Sequence, residues 1–195
     1  LKDYVHGTRV TPDNRLQLAG GREAQIRCGN ALRPLSRQQV KTLLDGWVPV
    51  ILLTAQDGNV RYDFRLWATP LPTVSDWRKA FDWPVETENY LNWIAGRVTN
   101  TGKDAAEAKW DVVVRGVGVE ETAATFGFQL QPGQTQEHVV RLPFEAAGTP
   151  ADAAALAGEN AELWLQRTVQ YWRGLLDGAA QIEVPCRKAT DALRA

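Results

Sequence analysis

From Val60 to Trp67 the side chains alternate: Val60, Tyr62, Phe64 and Leu66 against Arg61, Asp63, Arg65 and Trp67. A period of two puts one set on each face of a strand. Trp67 stands on the charged face, so a second sheet or the C-terminal helix is expected to cover it. The preceding run, Trp47-Val-Pro-Val-Ile-Leu-Leu-Thr54, is almost wholly apolar and predicts a strand buried on both faces or central in its sheet. Pro49 has no N–H to give to a ladder and belongs near that strand's start or at a bulge. Asp45-Gly46 and Asp57-Gly58 are turn dipeptides, so Val40–Ala55 reads as two strands and Asp57-Gly58 as the tip of a hairpin. Shorter strands are predicted at Tyr4–Val10, Arg15–Ala19 and Glu23–Cys28, and Asn30–Gln39, with Pro34, reads as a loop. Tyr90–Thr99 is expected to pair with Ala108–Val114 through Asn100-Thr-Gly-Lys103. Thr122–Leu130 is expected to pair with Thr135–Leu142 through Gln131-Pro-Gly-Gln134. Roughly ten strands at this spacing suggest a sandwich or barrel.

Two stretches break the β pattern. Thr69–Glu88 carries Pro70, Pro72 and Pro84, with Trp77, Phe81 and Trp83 among charges. It reads as a long irregular loop, a feature uncommon inside compact domains and often functional. Pro143–Gly158, rich in Ala, Gly and Pro, reads as a linker. The period then changes to that of a helix. From Ala161, Leu165, Val169, Trp172 and Leu176 form one stripe, and Trp164, Thr168, Tyr171 and Leu175 the stripe beside it. Gly178 suits the end of this helix. Gln181–Val184 is extended, and Pro185 opens a second helical pattern through Ala189 and Leu193. The fold class expected is therefore mainly β: a large antiparallel β-sandwich over residues 1–145, then a linker with an amphipathic helix over 146–195.

Composition narrows the chemistry. The formal net charge of −1 gives no general attraction to nucleic acid or anionic membranes. No apolar run approaches the ~20 residues that span a bilayer as a helix. Cys28 and Cys186 are too few for a disulfide framework or a zinc cluster. Methionine is absent, so the native N-terminus is expected upstream, and either a cytoplasmic or an exported location fits. No Gly-rich phosphate loop is present, and no cofactor is expected. His6 and His138 lack companions at metal-ligand spacing. Ser36 and Ser75 lie in no nucleophile context. Glu120-Glu121 point to opposite faces if in a strand, and Asp82, Glu86 and Glu88 sit in the aromatic loop, where solvated charges are the ordinary reading. Trp77, Asp82 and Trp83 are the candidates for carbohydrate or partner contact, because indole faces stack on sugar rings beside hydrogen-bonding rims. Trp164, Tyr171 and Trp172 form the candidate interdomain helix face.

Several motifs in order carry a resemblance. They are Leu-Leu-Asp-Gly-Trp-Val-Pro-Val (43–50), Val-Arg-Tyr-Asp-Phe-Arg-Leu-Trp-Ala-Thr-Pro-Leu (60–71) and Arg-Val-Thr-Asn-Thr-Gly (97–102). Thr-Val-Gln-Tyr-Trp-Arg-Gly-Leu-Leu (168–176) and Ile-Glu-Val-Pro (182–185) follow. Residues 40–195 thereby resemble the N-terminal β-domain of bacterial six-hairpin glycoside hydrolases, the superfamily of glucoamylases, glycoside phosphorylases and debranching-type enzymes. The resemblance implies a supersandwich, a helical linker and a Val-Pro entry into an α/α barrel that holds the catalytic carboxylates beyond Ala195. No residue of this chain inherits a catalytic role. The leading expectation is a non-catalytic domain that packs on the barrel in cis and shapes its carbohydrate cleft. An autonomous carbohydrate-binding sandwich and a structural protein-interaction domain are the alternatives.

Overall fold

The computed structural model describes residues 7–35, 40–72, 76–82, 90–116, 118–145, 156–177 and 188. Within them the chain is mainly β. Three short strands open it, β1 (Arg9–Val10), β2 (Arg15–Gln17) and β3 (Glu23–Cys28), with β4 (Arg33–Pro34) folding back on β3. A four-strand meander follows, β5 (Val40–Leu44), β6 (Val48–Asp57), β7 (Val60–Pro70) and β8 (Tyr90–Asn100). The last strands are β9 (Ala106–Gly116), β10 (Val119–Leu130) and β11 (Thr135–Pro143). The longer helices are α1 (Trp77–Asp82) and α2 (Ala161–Asp177), with a 3-10 turn at Ala19–Gly21. One sheet, A, runs β1-β2-β3-β9-β10; the other, B, runs β11-β8-β7-β6-β5, and all pairings are antiparallel.

The meander turns fall at the predicted dipeptides, the second displaced by one residue: Asp57 ends β6 and pairs with Val60 across Gly58-Asn59, while Asp45 and Gly46 both take positive φ between β5 and β6. Pro49 is the second residue of β6, where the register with β5 shifts between Leu43 and Leu44. A missing N–H costs no ladder bond there. β6 lies between β7 and the edge strand β5, and β7 is the central strand. β6 still buries both faces over part of its length: Leu53 and Ala55 enter the inter-sheet core, while Val48 and Val50 face the opposite way.

Two expected hairpins are not hairpins. β8 belongs to sheet B and β9 to sheet A, so residues 101–105 cross between sheets; residues 131–134 likewise carry β10 of sheet A to β11 of sheet B. The reason is edge availability. β8 is paired on both sides, by β7 and β11, and has no edge left for β9. Asn100 holds the two crossings together. Its buried amide donates to Asp104 O at 2.8 Å and Leu130 O at 3.0 Å, its Oδ1 accepts from Gly102 N, and its carbonyl accepts from Gly133 N. The true neighbouring hairpin is β9–β10, closed beside Gly118 at φ +73°.

The inner core lies between the sheets. Ala24, Ile26, Ala108, Trp110 and Val112 come from sheet A, and Leu53, Tyr62, Phe64, Leu66, Ile94, Val98 and Val140 from sheet B. Trp110 meets Phe64 edge-on, with centroids 5.3 Å apart. It fits because position 96 is glycine: a Cβ there would stand 2.7 Å from Cζ2 of Trp110. On the outer face of sheet A, Asp111 is buried beneath Arg27, which holds it with two hydrogen bonds of 2.8 and 2.5 Å.

The expected loop at 69–88 also departs from its reading. β7 extends to Pro70, and Trp77–Asp82 is helical. Asp76 Oδ1 accepts from Lys79 N at 3.1 Å, as an N-cap side chain does. Ala80 and Phe81 are buried. The short helix survives because these packed side chains supply what an isolated turn lacks. In the same way the expected loop at 30–39 contains β4, and the expected linker begins later than Pro143, which still pairs with Leu91.

Candidate functional site

The outer face of sheet B is covered at one end and open at the other. Its covered rows pair Trp67 side by side with Trp93, and Trp93 with Arg141. Trp67 stacks on Trp93 at 5.7 Å with rings 3° apart, and Trp93 Nε1 donates to Thr69 Oγ1 at 2.8 Å. Together with Val48, Val50 and Leu91 they form a second core that α2 closes with Trp164 and Leu165. The cover over Trp67 is thus the helix, not a third sheet.

α2 forms and docks for identifiable reasons. Asn160 Oδ1 accepts from Leu163 N at 3.0 Å, an N-cap, and Glu162 supplies an acidic first turn. Trp164 is buried, and its Nε1 donates to Glu159 Oε2 at 3.0 Å. Thr168 is buried and returns its hydroxyl to Trp164 O at 2.8 Å. Arg141 reaches from β11 to Glu159 O at 2.5 Å while lying over Trp93. Burial holds its guanidinium below the usual value, against the pull of Glu159. Ion pairs tie each half of the helix to sheet B: Glu162 to Arg65 at 3.4 Å and Arg173 to Asp45 at 2.5 Å.

Cover is less complete elsewhere on α2. Leu163 is exposed on its polar side and Leu175 at the C-terminal end of the Trp164–Thr168–Tyr171 stripe, and Tyr171 and Trp172 are half-buried. A cleft of about 830 Å³ runs along this helix, lined by Leu44 of β5, by Arg78 of α1, and by Gln166, Val169, Gln170 and Tyr171 among others. Tyr171 stacks on Phe81 at 4.7 Å, so the two helices share an aromatic seam.

The candidate contact residues separate here. Trp77 lies half-buried at that seam, edge-on to Phe81. The guanidinium carbons of Arg78 and Arg167 lie 5.3 and 5.5 Å from its ring centroid. Its π-system is thus engaged by cations rather than left bare for a sugar. Asp82 closes α1, and its side chain lies outside the described part of the structure, as does all of Trp83. Trp164, Tyr171 and Trp172 all turn toward this domain's own sheet or α1 to some degree, Trp164 most fully. Arg78 stands beside Trp77 in the sequence, but Arg167 is not singled out by it. A helical spacing of three between Trp164 and Arg167 is the signal that was there to read.

The remaining candidates fall on structure. His138 lies between the rings of Phe126 and Phe128, at 4.6 and 5.2 Å. His6, Ser36, Ser75, Glu86, Glu88 and Cys186 lie outside the described residues, as does the second helical pattern after Pro185 apart from residue 188. Glu120 pairs with Arg115 at 2.7 Å and Glu121 is exposed, side by side on β10. Cys28 is an unpaired thiol that burial pushes up to about 12, helped by Asp57. Among the described residues no group of three or more His, Cys, Asp or Glu is arranged to hold a metal, and no helix is long and apolar enough to cross a membrane. Comparison with protein-family models, characterised proteins and solved structures finds no match to this chain.

Proposed function

We propose that this chain is a non-catalytic β-sandwich domain of a carbohydrate-active enzyme of the glycoside hydrolase class. In this reading it packs on an α/α barrel that follows it and shapes that barrel's cleft. The observation that carries the reading is α2. It is docked firmly enough on sheet B to be part of the domain, yet leaves Leu163 exposed and Leu175 exposed in the lining of a long cleft. Exposed apolar side chains are what an interdomain contact uses. The resemblance of its motifs to the N-terminal domains of six-hairpin glycosidases supports an α/α barrel as the partner, and fold likeness alone leaves the substrate open.

The test has two arms. The sequence following Ala195 in the parent protein should encode paired amphipathic helices, and that region, produced separately, should bind this chain. Leu175→Asp should weaken the complex at least tenfold while leaving the chain's own unfolding midpoint unchanged. Hydrolysis of α-glucans or rhamnosides by this chain alone, dependent on its own carboxylates, would overturn the reading. So would a following sequence without such helices.

A further inference from the structure

We propose that Arg78 of α1 and Arg167 of α2 form a binding site for an oxyanion, the carboxylate or phosphate group of a small ligand. The two helices bring both guanidiniums to one indole, Trp77, at 5.3 and 5.5 Å. Arg167 also lies 4.7 Å from the Trp164 centroid, so two rings fix its orientation. Stacking uses the flat face of a guanidinium and leaves its in-plane N–H donors free. Among the described residues neither arginine has an ion pair or a hydrogen bond, whereas Arg65 and Arg173, which bind the same helix to the sheet, are each paired. The acidic groups at the start of α2 are already engaged, Glu159 by the Trp164 indole and Glu162 by Arg65.

Both guanidiniums lie within 5.5 Å of one indole centroid, so each can direct donors at an anion seated beside that ring. The fork geometry of guanidinium matches carboxylate and phosphate oxygens two at a time. Arg78 also lines the 830 Å³ cleft, which gives a ligand carrying such a group a way in. The site is local, because the chain's net charge is −1. It does not depend on the glycosidase reading: inorganic phosphate tests it without any sugar.

The experiment is a titration of the chain followed by two-dimensional ¹H–¹⁵N spectra of its arginine Nε–H and indole signals. The probes are inorganic phosphate, glucuronate and uncharged glucose, at constant ionic strength in sodium chloride. Phosphate or glucuronate should shift the Arg78, Arg167 and Trp77 signals saturably, and glucose should not; the tighter of the two anions identifies the group preferred. Arg78→Gln, at an exposed position that leaves the rest of the spectrum in place, should weaken binding at least tenfold. Arg167→Lys, which keeps the charge and loses the fork, should weaken it by a similar factor. Absence of saturation with both anions, an equal response to glucose, or undiminished binding in Arg78→Gln would each overturn the site.

Discussion

Cys28 and Tyr62 sit next to the inter-sheet core, and burial pushes both groups up to about 12. For the thiol the ordinary value is near 8.5, and for the phenol near 10. A raised folded-state value means that the native protein holds its protons after the unfolded chain has released them. The stability this lends is therefore complete below about pH 8.5 and is lost as pH climbs toward 12. Urea unfolding from pH 7 to 11 should show a midpoint falling above pH 9. Cys28→Ala should flatten the first part of that fall, and an identical fall in the variant would remove the thiol from the account. The same burial keeps Cys28 a thiol at pH 8, so alkylation by iodoacetamide should be slow in native protein and quick in urea.

At the scale of elements, the strand positions are legible where local pattern decides them and illegible where the sheet's edges decide. The alternation at 60–67 and the turn dipeptides at 45–46 and 57–58 specify three strands of the meander, because each signal is satisfied by neighbours a few residues away. Asn100-Thr-Gly-Lys103 looks the same in sequence, yet it crosses between sheets, since only the completed ladder shows that β8 has no free edge. The α1 helix was hidden for a similar reason: six residues make no helix by themselves, and the Phe81–Tyr171 contact that supports them joins positions ninety residues apart. The candidate site was half legible. Trp77 and the Trp164 face stood out as large aromatics, while the approach of Arg167 to Trp77, ninety residues away, carried no local signal. The helix itself yields a prediction. Trp164→Ala removes a buried indole from the second core and leaves Glu159 without that donor. Such truncations cost about 3–5 kcal/mol, to be read from the urea midpoint at unchanged slope. A loss under 1 kcal/mol would mean that the helix rests on the sheet without stabilising it.

Across the whole molecule, sheet B is the shared layer. Consecutive residues of β8 face opposite cores: Trp93 lies under α2 and Ile94 lies between the sheets, both fully buried. β6 and β7 divide in the same way, Val50 and Trp67 outward, Leu53 and Leu66 inward. Loosening one core shifts strands whose other face belongs to the second, so neither layer can melt with its neighbour intact. Unfolding should then be a single transition. Tryptophan emission, dominated by both cores, and far-ultraviolet circular dichroism, dominated by the strands, should give one midpoint, and calorimetric and van't Hoff enthalpies should agree. The decisive comparison is with Trp164→Ala, a change confined to the helix side. It should move the whole curve to lower urea for both probes together. A split into an early loss of helix and a later loss of strand would show instead that α2 is an independent unit, and the coupling through β6, β7 and β8 would have to be abandoned.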